Sequence, residues 1–89
     1  MYTLTLTESE RNAIDWMHGR SAIGDIKRVL ISCLHEDISW HDDGNIIFEI
    51  PEYLAWEMQA IREENGRETW TCLSDGLVSK FEEFLGKIV

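Results

Sequence analysis

The sequence predicts an α+β class: one small domain, residues 1-89, with about four helices packed on a short antiparallel β-hairpin or a three-stranded sheet. Three observations predict it. Apolar residues recur at helical spacing over 23–34 and 77–88, they alternate with polar ones around 38–50, and 89 residues leave room for a single core.

Tyr2, Leu4 and Leu6 alternate with threonines, the period of a half-buried strand, though so short a terminal segment also reads as an extended lead-in. Thr7-Glu8-Ser9-Glu10 fits a capping box, in which the threonine oxygen accepts from a free backbone N–H and the glutamate reaches back to the cap. A first helix is therefore expected from Glu8 to about Met17, stopping near Gly19. Ser21 is a candidate cap for a second helix, in which Ile23, Ile26, Val29, Leu30, Cys33 and Leu34 share one arc.

Ile38 and Trp40 alternate with Ser39, Asp43-Gly44 is a turn signal, and Ile46, Phe48 and Ile50 alternate with Ile47 and Glu49. This pattern predicts a hairpin with an acidic tip. Pro51 has the φ that a first helical turn needs, and Leu54, Met58 and Ile61 keep helical spacing until Asn65-Gly66 supplies a left-handed stop. Trp70 and Cys72 read as a third strand or as a packed loop. Ser74 then caps a last helix, where Leu77, Val78, Phe81, Phe84, Leu85 and Ile88 fall within one arc.

The net charge of −9 is unevenly placed. Residues 1 to 35 balance four acids with four bases, and residues 65 to 89 sum to −1. Residues 36 to 64 hold nine acids against Arg62 alone, a net of −8. Direct nucleic-acid binding, which helices beside a hairpin would otherwise suggest in a winged-helix arrangement, is disfavoured, because phosphate contacts need Lys and Arg and the chain has eight of these against 17 acids. A local basic patch of Arg11, Arg20, Lys27 and Arg28 on the first two helices is the one exception the sequence leaves.

The start lacks the basic flank and apolar run of a signal peptide, and no stretch reaches the roughly 20 apolar residues of a membrane span. A cytoplasmic location, with host cytoplasm meant if a phage encodes the chain, and buried free thiols at Cys33 and Cys72 are the corresponding expectations. Cys33, His35, His41 and Cys72 are enough ligand types for zinc, but the close pairs that structural zinc sites use are missing. His41 with Asp42 and Asp43 lacks the oxygen spacing of a calcium loop. No metal or cofactor is expected. Nor is there a phosphate-cradling glycine loop, a nucleophile elbow or an HExxH helix, and Cys33 and His35, two positions apart, point to different helix faces. The chain is read as a non-enzyme.

Trp56 is the most informative residue. A wheel of 100° per residue places it about 160° from Leu54, beside Glu52, Gln59 and Glu63 and away from the core. There it is either a binding anchor or a side chain covered by another element, whereas Trp40 and Trp70 alternate with polar neighbours as core residues do. The candidate partner-binding set is Asp42, Asp43, Glu49, Glu52, Trp56, Glu57, Glu63 and Glu64.

The expected function is a non-catalytic protein-binding module or inhibitor. Its acidic face would meet a basic partner, such as a nuclease or another nucleic-acid-binding protein, in the manner of a phage or mobile-element anti-defence protein, anti-CRISPR-like or a nucleic-acid mimic. The alternatives are a small structural or homodimerisation module using an apolar patch that includes Trp16 or Trp56, and an immunity protein or antitoxin.

Overall fold

The structure, a computed structural model, describes residues 1–16, 22–71 and 73–88. The chain runs β1 (Tyr2–Leu6), α1 (Glu8–Asp15), α2 (Ala22–Ser32), β2 (Ile46–Ile50), α3 (Glu52–Asn65), a 3₁₀ turn (Gly66–Trp70) and α4 (Asp75–Gly86). The α+β class is as expected: four helices pack on a two-stranded antiparallel sheet.

The strand partner differs from the expected hairpin. β2 pairs with the N-terminal strand β1, Leu4 opposite Phe48 and Leu6 opposite Ile46, across the two intervening helices. Ile38 to Trp40 forms no strand, because its polar groups close a local turn instead. Asp42 accepts from both the backbone N–H and the hydroxyl of Ser39, Ile38 N–H donates to His35, and Asp42 N–H donates to Ser39. Such side-chain to backbone bonds compete directly with a ladder. The acidic tip is thus a loop between α2 and β2, with Gly44 at φ +84°. The alternation at Ile38, Ser39 and Trp40 was real in burial, but too short to distinguish a turn from a strand.

The local signals at the helix ends hold. Thr7 N–H donates to Glu10 Oε1 at 2.8 Å while Glu10 N–H donates to Thr7 Oγ1 at 3.2 Å, the reciprocal capping box. The Pro51 carbonyl accepts from Leu54 and Ala55, opening α3, and Gly66 at φ +59° returns its N–H to Arg62 to close it. Ser74 caps α4 by accepting from Leu77. Cys33 and Leu34, expected on the second helix, lie in the tighter turn that ends it, with N–H bonds three residues back to Leu30 and Ile31. The expected stop near Gly19, the Ser21 cap and Cys72 lie outside the described residues.

The core follows from these faces. Leu4, Leu6, Ile46, Phe48 and Ile50 point from one side of the sheet onto Ile14, Ile23, Ile26 and Leu30 of the first two helices and Phe81, Phe84 and Leu85 of α4. Trp70 is no strand residue. It lies in the 3₁₀ turn, stacks on Phe81 at 5.0 Å between ring centroids, and donates its indole N–H to Glu82 at 2.7 Å. Trp40 is likewise buried, its ring 6.1 Å from Phe48 with the Lys27 ammonium over its face.

Candidate functional site

α3 packs on α2, on the 3₁₀ turn and on α4 through Ala55 and Met58, with Leu54 and Ile61 half-buried at the margin. Everything on the opposite arc is exposed: Glu52, Tyr53, Trp56, Glu57, Ala60, Glu63 and Glu64. On the helical wheel Tyr53, Ala60 and Trp56 form the middle of this arc. Glu52 and Glu63 flank it beside Trp56, and Glu57 and Glu64 flank it beside Tyr53. The helix, about 21 Å long, therefore presents two aromatic rings within one turn of each other, edged on both sides with carboxylates.

Trp56 is 52% exposed, so no neighbouring element covers it, and Tyr53 is 69% exposed. Tyr53 was absent from the residues singled out in the sequence. The wheel that drew attention to Trp56 places Tyr53 within about 60° of it, so the signal was there. The only base on α3, Arg62, faces the other way and pairs with Glu82 of α4 at 2.7 Å. No basic residue lies on the outer arc, and none of its four glutamates has an ion-pair partner among the described residues.

The other sequence-predicted residues stand apart from this stripe. Glu49 is on the outer face of β2, opposite Thr3 of β1. Asp42 and Asp43 line a shallow depression with Ile38, Asn45, Ile46 and Ile47, at the end of β2 remote from α3. The strand rise separates those two ends by about 13 Å. Asp42 is also committed to Ser39 through both carboxylate oxygens. The eight residues thus divide into a five-residue set on α3, a lone Glu49 and a loop pair.

The basic patch that the sequence left as an exception on the first two helices is not assembled among the described residues. Arg11 is 2% exposed, and its guanidinium donates from Nη1 to the Trp40 carbonyl at 2.8 Å and from Nη2 to the Gly44 carbonyl. It holds the acidic loop against α1. Lys27 pairs with Asp15 and Arg28 with Asp25, and Arg20 lies outside the described residues. Lys27 and Arg28 are thus each balanced by an acid that lies near in space, which a regional charge sum cannot reveal.

The thiol and the metal-ligand types show no assembled centre among the described residues, where no three of His, Cys, Asp and Glu gather to hold an ion. Cys33 is half-buried and donates to the Val29 carbonyl, and burial pushes its thiol up, the direction opposite to an activated nucleophile. Among the described residues no helix is long and apolar enough to cross a membrane. No protein-family model, curated protein or solved structure matches the chain.

Proposed function

We propose that the chain is a non-catalytic binding protein that lays the outer face of α3 on a basic surface of a protein partner. The observation that carries this reading is the Tyr53–Trp56 stripe, exposed and edged on both sides by glutamates that have no ion-pair partner among the described residues. Tyrosine and tryptophan bring large contact area at low entropic cost and are enriched among residues that dominate binding energy. Carboxylates at the rim speed and orient the encounter with a basic surface. The aromatic faces also suit cationic side chains. Basic protein surfaces of this kind are commonly built to hold nucleic acid. An inhibitor or nucleic-acid mimic of the sort that phages and mobile elements direct at host nucleases is the functional class that fits this chemistry, and the anti-CRISPR-like proteins belong to it. The loop carboxylates Asp42 and Asp43 lie too far along the sheet to belong to the same small footprint, and Glu49 is its nearest candidate extension.

The test is charge reversal. Glu57→Lys, Glu63→Lys and Glu64→Lys together avoid the first turn of α3, where Glu52 gains from the helix dipole, so the fold is left alone. A nuclease-treated lysate of the host cell is passed over the tagged chain and over this variant, with washes at about 0.1 M and about 0.5 M salt. The expected result is a basic nucleic-acid-handling protein held by the unmodified chain at low salt, released at high salt, and not held by the variant. Equal retention by both would remove α3 from the interface.

One observation favours a second reading. Trp16, at the end of α1, is 77% exposed. A homodimer that buries Trp16 would resist salt and dissociate on dilution, which sedimentation at two concentrations reads directly.

A further inference from the structure

Between α2 and α3 lies an open groove of about 270 Å³. Its apolar wall is Val29 of α2 with Leu54 and Ile61 of α3, and its polar rim is Glu57 on one side and Asp25, Arg28 and Ser32 on the other. We infer that this groove is a subsite for one arginine side chain of the partner, an inference that rests on the binding reading of α3 given above.

Three features point to that occupant. The groove is continuous with the aromatic stripe, because Glu57 belongs both to the outer arc of α3 and to the groove rim. A partner lying along Tyr53 and Trp56 therefore has the groove within reach of its next side chain. The charge is also unbalanced: Asp25 is taken by Arg28 at 2.6 Å, whereas Glu57 has no ion-pair partner among the described residues. Finally, the shape combines an apolar wall with a carboxylate at its edge, which is what a long cationic side chain needs for its methylene stem and its charged head. The Ser32 hydroxyl donates its proton to the Arg28 carbonyl, so its lone pairs remain to accept. A planar guanidinium has five donors to share between Glu57 and Ser32 and is more weakly hydrated than an ammonium, which selects arginine over lysine. A purely apolar side chain would fit the wall but strip water from Glu57 without replacing it.

The experiment uses the full chain, labelled at its methyl groups and its aromatic rings, and three synthetic peptides of the same length carrying arginine, lysine or citrulline at the same positions. The expected result is saturable movement of the Val29, Leu54 and Ile61 methyl signals with the arginine peptide. Binding should be weaker by about tenfold with citrulline, which has the shape but not the charge, or when Glu57→Gln removes the carboxylate. Movement of the Tyr53 and Trp56 ring signals with the three methyls silent, or equal groove shifts from arginine and citrulline, would overturn the subsite and leave α3 as the binding face. Silence of both regions toward all three peptides would overturn the subsite and the binding reading together.

Discussion

Where α1, α2 and α4 enclose the sheet, charged groups answer one another: Lys80 pairs with Glu10, Lys27 with Asp15, and Glu82 accepts from both Arg62 and Trp70. Arg11 is buried against two backbone carbonyls. On the outer face of α3, four glutamates and two aromatic rings stand without such partners among the described residues. The two regions are made from the same residue types in the same chain. What differs is whether the folded protein itself completes their interactions, and that difference separates groups whose loss should cost stability from groups whose loss should cost little of it.

The comparison breaks if stability tracks the wrong region. The largest effect is expected from Phe81→Ala, which removes a fully buried ring stacked on Trp70 and should cost about 3–5 kcal/mol in urea unfolding. Arg11→Met comes next. It leaves the Trp40 and Gly44 carbonyls without their charged donor and should cost about 2–3 kcal/mol, partly relieved because the buried Arg11 Nε has no partner among the described residues. A cost near zero would mean that the acidic loop holds itself, through Ser39 and Asp42 alone.

A smaller effect is read through pH. Burial pushes the Glu10 and Glu82 carboxyls up, but the hydrogen bonds and charge they receive, from Lys80 and Thr7 and from Arg62 and Trp70 respectively, outweigh it and hold both below the ordinary 4.5. A carboxyl lowered in the folded state contributes stability that is complete above its unfolded value and is lost as the pH falls through the folded one. Stability should therefore decline below pH 4.5, and Glu82→Gln should flatten that decline when unfolding is followed from about pH 6 to about pH 3. Identical acid limbs would show that the Arg62–Glu82–Trp70 cluster does not drive it. The smallest effect belongs to α3: Tyr53→Ser with Trp56→Ala should change stability by no more than about 0.5 kcal/mol while abolishing partner capture. A large loss of stability would place these rings in the structural region and sharpen the boundary between the two.

Much of this division is legible in the residues themselves. The wheel over 52–64 identifies Trp56 as outward and Leu54, Met58 and Ile61 as inward, and the structure agrees, with Leu54 and Ile61 only half-buried because they border the groove. The same wheel contains Tyr53, which reading for tryptophan alone passes over. Arg11 is not recoverable in this way. One turn into an amphipathic helix, it carries every mark of a solvated cation, and nothing near it in sequence announces that Trp40 and Gly44 will offer their carbonyls. The acidic block of residues 36 to 64 is legible as a sum but not as a surface, since β2 carries its two ends apart.

By itself the sequence determined the α+β class, the faces of the helices, the caps at Thr7 and Ser74, the stop at Gly66, the burial of Trp40 and Trp70 and the place of Trp56 on the outer arc of α3, though not that Trp56 stays uncovered. Each of these depends on residues within a turn or two of one another, where helical and strand periods and single hydrogen bonds decide the outcome. Only the tertiary structure decided that β2 pairs with β1, that Arg11 and Lys27 serve the interior, and that α2 and α3 leave a groove beside Glu57. Those outcomes join positions 12 to 48 residues apart, as Lys27 with Asp15 and Tyr2 with Ile50 show, and no local pattern records which distant group will arrive.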